Sequence, residues 1–186
     1  MGGLPVLIPK KIFILPLVFH AQYQRYELEE LLKSHQDFVK EIVYQAIYVA
    51  PGHPIPNRDI LNSQDIRKYY EHWGRKGDFG LLLVHYPNEQ PVGGAFVRYY
   101  SRDQAGYGFV SEKIPELDIA LLPDHREKGE GSRLLTTLLS KLKTQGHPGI
   151  SLSVDRQNPA MKLYEKLGFE VVKDEGNPTM LLRFDE

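Results

Sequence analysis

A strand that runs into a glycine-containing turn and then into a long amphipathic helix is the feature that most constrains this chain. Residues Leu117–Leu122 have the pattern of a strand, and the following turn contains Gly129 and Gly131. Five leucines between positions 134 and 142 then share one face of a helix that stops near Gly146. Free amides at such a helix N-terminus attract anions, and glycines let a phosphate approach the main chain. This block therefore predicts a phosphate-binding turn.

The remaining elements mix strands and helices around this block. Before it, the pattern predicts a strand over 11–18, a helical stretch over 26–34, a helix from Asp37, a short helix over 64–70, and a hairpin of 80–85 with 92–99. After it come a strand over 150–154, a short helix capped by Asn158, and a closing hairpin of 169–173 with 179–184. This order predicts a mixed α/β (α+β) sheet with helices on its faces.

Size and composition narrow the class of protein. The 186 residues fit one domain, and 23 basic against 24 acidic residues lack the basic excess of a dedicated nucleic-acid binder. The longest apolar run, over 12–19, is far shorter than the roughly 20 residues of a membrane helix. The absence of cysteine excludes thiolate zinc sites and agrees with a reducing compartment, and the histidines lack metal-site spacing. We therefore expect a cytoplasmic protein without a metal and without nucleic-acid or membrane partners.

Two common phosphate-binding motifs are not met by the glycine turn. No lysine follows Gly131 as the P-loop requires, which disfavours an NTPase. The dinucleotide-binding fingerprint needs a third glycine or an alanine at position 134, which is leucine. A nucleotide-binding protein is therefore the weaker alternative, and a bare Gly-x-Gly also fits a helix start that binds no ligand.

Two motifs lie in the block over 115–169. Arg126, Gly129 and Gly131 form the pattern Arg/Gln-x-x-Gly-x-Gly/Ala, and the run Asn158–Phe169 follows after a helix and a strand. In these two motifs the block resembles the GNAT family of acyl-CoA-dependent N-acyltransferases, whose signature and second motif they match in the right order. Two motifs in that order are more specific than either alone.

The resemblance is good over 80–184, looser over 37–79 and weak over 1–36. It implies one acetyltransferase domain over 1–186, built on a mostly antiparallel GNAT-type sheet with helices on both faces. It also implies transfer of an acetyl group from acetyl-CoA to a primary amine of a small molecule, protein or peptide by direct attack. A catalytically silent acyl-CoA-binding or sensing module on the same fold is the alternative.

The resemblance assigns roles to individual residues. Tyr164 matches the family's tyrosine that protonates the leaving sulfur, although its place on an apolar helix face also fits a packing role. Glu116 is the expected base, with Asp118 in reserve, but the pair could equally be two solvated carboxylates on a strand edge. The expected acetyl-CoA-binding residues are Ile119, Ala120, Leu121, Arg126, Glu127, Lys128, Gly129, Glu130, Gly131, Ser132, Asn158 and Tyr164.

The chain also departs from many relatives, which have glycine or an apolar residue in place of Glu127 and Glu130. We expect both carboxylates to point toward solvent and to weaken phosphate binding somewhat. A dimer is common among relatives, and the closing hairpin over 169–184 could supply its interface. The early helices and their loop are expected to form the acceptor pocket, with walls from Tyr69, Tyr70, Trp73, Tyr99 and Tyr107.

Overall fold

The computed structural model describes residues 25–184, so the strand predicted over 11–18 lies outside the described residues. The strands and α-helices in chain order are β1 (Arg25–Glu30), α1 (Gln36–Ala46), α2 (Gln64–Tyr70), β2 (Phe79–Tyr86), β3 (Gln90–Arg98), β4 (Glu116–Leu121), α3 (Glu130–Thr144), β5 (Gly149–Ser153), α4 (Ala160–Lys166), β6 (Glu170–Lys173) and β7 (Thr179–Arg183). Short 3-10 turns over 33–35, 58–62, 102–104 and 123–125 lie between them.

The seven strands form one mixed sheet in the order β1-β2-β3-β4-β5-β7-β6. Every neighbouring pair is antiparallel except β4 and β5, which run parallel and are connected through α3. Residues of α3 and α4 pack against one face, and residues of α1 and α2 pack against the other. The predicted mixed, mostly antiparallel sheet with helices on both faces is confirmed.

Alternation along the central strands divides the interior into two hydrophobic cores. On β2, Leu81 and Leu83 join the core beneath α3, whereas Leu82 and Val84 join the core beneath α1 and α2. Successive side chains of a strand point to opposite faces, so a continuous apolar run is what a strand covered on both sides requires. The central strands are therefore enclosed from both sides.

The helix predicted over 26–34 is wrong, because its first part is strand β1. Its pairing with β2 extends from Arg25, opposite Tyr86, to Glu30, opposite Leu81. Tyr26 and Leu28 alternate along the strand and pack against the core beneath α3. The glutamate-rich composition favours a helix locally, but pairing with a strand some 50 residues away decides the outcome.

The parallel neighbours β4 and β5 separate soon after they meet. They pair only at Glu116 and Ser151, whereas β3 and β4 stay paired over six residues. The Ser151 amide donates to the Pro115 carbonyl at 3.0 Å and closes this end of the gap. The sheet is thus open between the two strands along the rest of β4.

Candidate active site

The gap exposes part of the main chain of β4. The Leu122 amide donates to the Val92 carbonyl at 2.8 Å, so the backbone groups of Leu122 face β3. Because these positions alternate in an antiparallel ladder, the backbone groups of Ile119 and Leu121 point to the β5 side. Those of Ala120 are turned to β3. Ile119 and Leu121 therefore present main-chain groups to the gap.

A set of amides without intrahelical acceptors lies at the end of β4, where α3 begins. Gly129, at a φ of +82°, precedes the helix, and its carbonyl accepts the first intrahelical bond from the Arg133 amide at 3.1 Å. The amides of 130–132 come before that bond and point out of the helix end. A side chain at Gly131 would meet only Leu121 Cδ1, at 3.7 Å from its Cβ. The space above these amides is open, as an anion site requires.

The charged side chains of this turn are partly engaged. The guanidinium of Arg126 donates to the Leu121 carbonyl at 2.8 Å, and Lys128 Nζ donates to the Asp124 carbonyl at 2.7 Å. Glu130 forms an ion pair with Arg133 at 2.6 Å.

The two carboxylates of the turn therefore differ in environment. Glu127 is exposed, as expected, but the Glu130 side chain is only 18% exposed. The expectation that it points toward solvent is wrong, because Arg133, one helical turn away, covers and neutralises it.

On the opposite face of β4, Glu116 is buried at the start of the strand, 3% exposed. Its Oε1 accepts hydrogen bonds from the Gly108 amide at 2.7 Å and the Tyr69 hydroxyl at 3.0 Å. The Tyr69 oxygen in turn accepts from the Tyr107 amide at 2.5 Å. Burial raises the pKa of Glu116 to about 7, although the two hydrogen bonds act against this rise. Glu116 is therefore an enclosed carboxyl group rather than a solvated edge residue.

Asp118 and Tyr100 are two further polar residues near Glu116 and Tyr69. Asp118 lies two residues along β4 from Glu116 and on the same face. The Tyr100 ring packs edge-on against that of Tyr69, with centroids 5.5 Å apart. Burial first, and then the charge of Glu116, raises the pKa of Asp118 well above its usual range. Two carboxyl groups and two tyrosines thus lie on this face of the sheet, with Glu116 and Tyr100 buried and Asp118 partly exposed.

Tyr164 lies on α4, in the core on the α3 side of the sheet. Its ring is nearly buried, with its centroid 5.6 Å from that of Phe169. Burial raises its pKa to about 12, and the charge of Asp118 adds to the rise. Tyr164 therefore packs as the apolar face predicts, and its hydroxyl keeps its proton at neutral pH.

Asn158 caps α4, because its Oδ1 accepts a hydrogen bond from the Ala160 amide at 2.9 Å. The cap follows from the preference of asparagine for helix starts. This hydrogen bond fixes the start of α4, the helix that carries Tyr164. Both residues belong to the second motif.

The sequence analysis missed a buried ion pair that anchors α2 beside the pocket. Arg98 is fully buried opposite Glu116 on β3 and donates to Asp78 Oδ2 at 2.6 Å. It also donates to the Lys68 and Glu71 carbonyls, at 3.0 and 2.8 Å, near the end of α2. This arginine holds the helix that presents Tyr69 to Glu116. The sequence contains one signal for this ion pair, which is a single arginine directly after the apolar run over 92–97.

Of the five predicted aromatic walls, two flank Glu116. Tyr69 and Tyr107 stack with centroids 6.2 Å apart, and Tyr107 is 62% exposed. Tyr70 and Trp73 are buried in the core beneath α1 and α2. The Tyr99 hydroxyl instead bonds to a histidine in the α3–β5 connection at 2.6 Å.

A cavity of about 930 Å³ opens beside Tyr107. It is lined by Ser153 of β5, Thr179 of β7 and residues of the β6–β7 turn. Ser153 shares the sheet face of Ser151 and hence of its partner Glu116. The cavity and the buried carboxyl group are therefore on the same side of the sheet, opposite the core that contains Tyr164.

Two kinds of site were searched for within residues 25–184. No cluster of three or more metal-ligating side chains occurs among them. No helix of this part of the chain is long and apolar enough to cross a membrane.

The sequence matches the family model described as "Acetyltransferase (GNAT) family" over residues 44–169. This span contains the glycine turn, both carboxyl groups and the run Asn158–Phe169. No functionally curated protein matches the sequence.

Several solved structures share the fold. YncA from Salmonella typhimurium, a putative acetyltransferase determined with acetyl-CoA, is 21% identical with a TM-score of 0.61, over 87% of this chain and 95% of that one. A GNAT phosphinothricin acetyltransferase from Sinorhizobium meliloti, in complex with acetyl-CoA, is 16% identical with a TM-score of 0.59, over 86% and 88%. The PaiA N-acetyltransferase of Thermoplasma acidophilum, in complex with coenzyme A, is 17% identical with a TM-score of 0.59, over 86% and 99%.

Proposed function

Because this chain belongs to the GNAT acetyltransferase family, we propose that it transfers an acetyl group from acetyl-CoA to a primary amine of a small molecule, protein or peptide. The observation that carries the proposal is the gap between β4 and β5. Unsatisfied helix amides approach it at one end, and a buried carboxyl group lies on its other face. The complexes of similar folds with acetyl-CoA or coenzyme A support this choice of cofactor.

The cofactor would be held by groups that have spare hydrogen-bonding capacity. The turn over 126–132 would bind the pyrophosphate through its amides, with Arg126 and Lys128 supplying positive charge. The exposed backbone of Ile119 and Leu121 would pair with the pantetheine arm, as a neighbouring strand does, and its amides would polarise the thioester carbonyl. Asn158 would contribute to the same arm from the start of α4.

The two proton-transfer roles fall to groups with suitable pKa values. With a pKa of about 7, Glu116 is partly ionised near neutral pH and can accept a proton from the attacking amine, directly or through one water. With a pKa of about 12, Tyr164 stays protonated at neutral pH and is available to donate its proton to the thiolate as it leaves. Direct attack needs no nucleophilic side chain, so the absence of cysteine is compatible with this route.

Calorimetric titration with acetyl-CoA tests the cofactor, with ATP and NAD as controls. Saturable binding of acetyl-CoA alone is the expected result, and failure to bind would refute the proposal. A panel of amines that includes phosphinothricin then tests turnover by release of free CoA thiol. Binding without turnover of any amine would favour the silent binding module instead.

A further inference from the structure

The two parts of the sheet, β1–β4 and β5–β7, are held together differently on its two faces. The core beneath α3 contains buried residues of both parts, such as Leu117 of β4 and Leu152 of β5. Within residues 25–184, the core beneath α1 and α2 takes its buried residues from positions 31–120 and none from β5–β7. On this second face the two parts share no buried core, so hydrogen bonds have a larger share in holding them together.

Hydrogen bonds cross the gap on the α1 face at both of its ends. At the Glu116 end, Lys173 Nζ of β6 donates to the Phe109 carbonyl at 2.5 Å. At the opposite end, the Tyr48 hydroxyl donates to the Gln157 carbonyl at 2.9 Å. Because β4 and β5 run parallel, both leave the sheet at this end, β4 into the glycine turn and β5 into the segment before α4. Tyr48 therefore crosses the gap where no strand pairing closes it.

The chain that carries Tyr48 is attached to the β4 side of the gap. Tyr48 lies two residues beyond the end of α1, and α1 packs in the core over β3 and β4. In the last turn of α1, Gln45 Oε1 accepts a hydrogen bond from the Arg126 guanidinium at 3.0 Å. The side-chain amide of Gln45 in turn donates to Glu41 Oε1 at 2.9 Å. The end of α1 is thus fixed beside the glycine turn, and Tyr48 extends from it to the β5 side.

This contact adjoins groups that the proposed function assigns to acetyl-CoA. Arg126 belongs to the turn for the pyrophosphate, and Gln157 directly precedes Asn158, which caps the helix of Tyr164. A chain inserted between β4 and β5 needs about 10 Å between them, twice the ordinary strand spacing. We propose that Tyr48 is a positioning residue for acetyl-CoA, because its bond to Gln157 holds the two parts at the spacing that the pantetheine arm requires. This inference rests on the proposed function.

A gap that is held at this spacing before the ligand arrives favours binding. If the two parts move freely, only a fraction of the molecules has the competent spacing, and the apparent affinity falls by that fraction. The single O–H of Tyr48 is already used by the Gln157 carbonyl. The effect of Tyr48 on the cofactor therefore passes through the spacing of the gap.

Distances between two spin labels measure this spacing directly. The sequence has no cysteine, so Asp65→Cys and Glu165→Cys supply two unique label sites at exposed positions of α2 and α4. Arg98 anchors α2 to β3, whereas α4 lies between β5 and β6, so the labels report on different parts of the sheet. By pulsed electron paramagnetic resonance we expect a narrow distance distribution with Tyr48 in place. The distribution should broaden in Tyr48→Phe and narrow again when acetyl-CoA saturates the variant.

Calorimetry on the unlabelled protein supplies the second test. Tyr48→Phe should raise the Kd for acetyl-CoA about 2- to 10-fold, as for the loss of one hydrogen bond. Tyr86→Phe is the matched control, because the bond of its hydroxyl to Glu29, at 3.1 Å, lies within β1–β4. The control should change neither the distance distribution nor the Kd.

The two proposals fail in different ways. An unchanged distance distribution or an unchanged Kd in Tyr48→Phe would overturn the role of Tyr48 while the proposed acetyl transfer stands. An equal rise of the Kd in Tyr48→Phe and Tyr86→Phe would overturn that role as well. If the wild-type protein does not bind acetyl-CoA, the proposed function is refuted, and the role of Tyr48 toward the cofactor with it.

Discussion

Replacing Glu116 by glutamine should make the protein more stable at neutral and alkaline pH while removing most of its proposed activity. The glutamine carbonyl can still accept from the Gly108 amide and the Tyr69 hydroxyl, so the packing is kept. The wild-type carboxyl group has a pKa of about 7 when folded, against an ordinary value of 4.5. The difference corresponds to about 3 kcal/mol of unfavourable free energy when the group is ionised in the fold.

The pH dependence has a definite sign. Between these two pKa values the folded state binds the proton and the unfolded state does not, so wild-type stability falls as pH rises from about 4.5 to about 7. The glutamine variant has no such group. Its free energy of unfolding, relative to wild type, should therefore rise by about 3 kcal/mol across this interval.

Urea denaturation of both proteins at a series of pH values from about 4 to about 8 measures this difference. Stability curves that stay parallel for the two proteins would show that Glu116 is not a desolvated carboxyl group. On the proposed function, kcat/KM of the wild type should fall below a pH of about 7 as Glu116 becomes protonated. The variant should lose about 100- to 10,000-fold in kcat.

Two further substitutions test the other parts of the site. Tyr164→Phe should lower kcat about 100-fold or more and leave acetyl-CoA affinity unchanged, because it removes only the proton donor; an unchanged kcat would leave Tyr164 with its packing role alone. Gly131→Glu should abolish acetyl-CoA binding in calorimetry without unfolding the protein, since only Leu121 Cδ1 lies near the added Cβ. Thr136→Glu adds the same charge on an exposed position of the same helix and should bind normally, and normal binding by Gly131→Glu would remove the phosphate site from this turn.

Most elements could be predicted because their signals lie within a few consecutive residues. The leucines of α3 repeat at helical spacing, and Asn158 caps α4 through an amide two residues away. β1 was predicted wrongly because what makes it a strand is pairing with β2, which its own residues do not specify. Local composition thus predicts an element reliably only where no distant partner decides its conformation.

The sequence motifs of the candidate site could be predicted, but the burial of Glu116 could not. That Glu116 is buried depends on a loop that folds back over it, which strand periodicity does not indicate. The loop contains a signal of a different kind, because a Cβ at Gly106 would collide with Glu116 Oε2. One at Gly108 would lie 2.6 Å from the Leu152 backbone. Two glycines in one short loop indicated a close approach of main chain to a neighbouring strand.

The sheet consists of two parts, β1–β4 and β5–β7, which are joined only by the residue pair Glu116 and Ser151. If the pantetheine arm occupies the gap as proposed, the ligand joins the two parts of the sheet by hydrogen bonds and is also a reactant. At a free acetyl-CoA concentration of 100 times its Kd, binding would add about 2.7 kcal/mol to the free energy of unfolding. The lifetime of this protein against proteolysis would then follow the supply of its own co-substrate, and a shortage would reduce the amount of enzyme as well as its turnover.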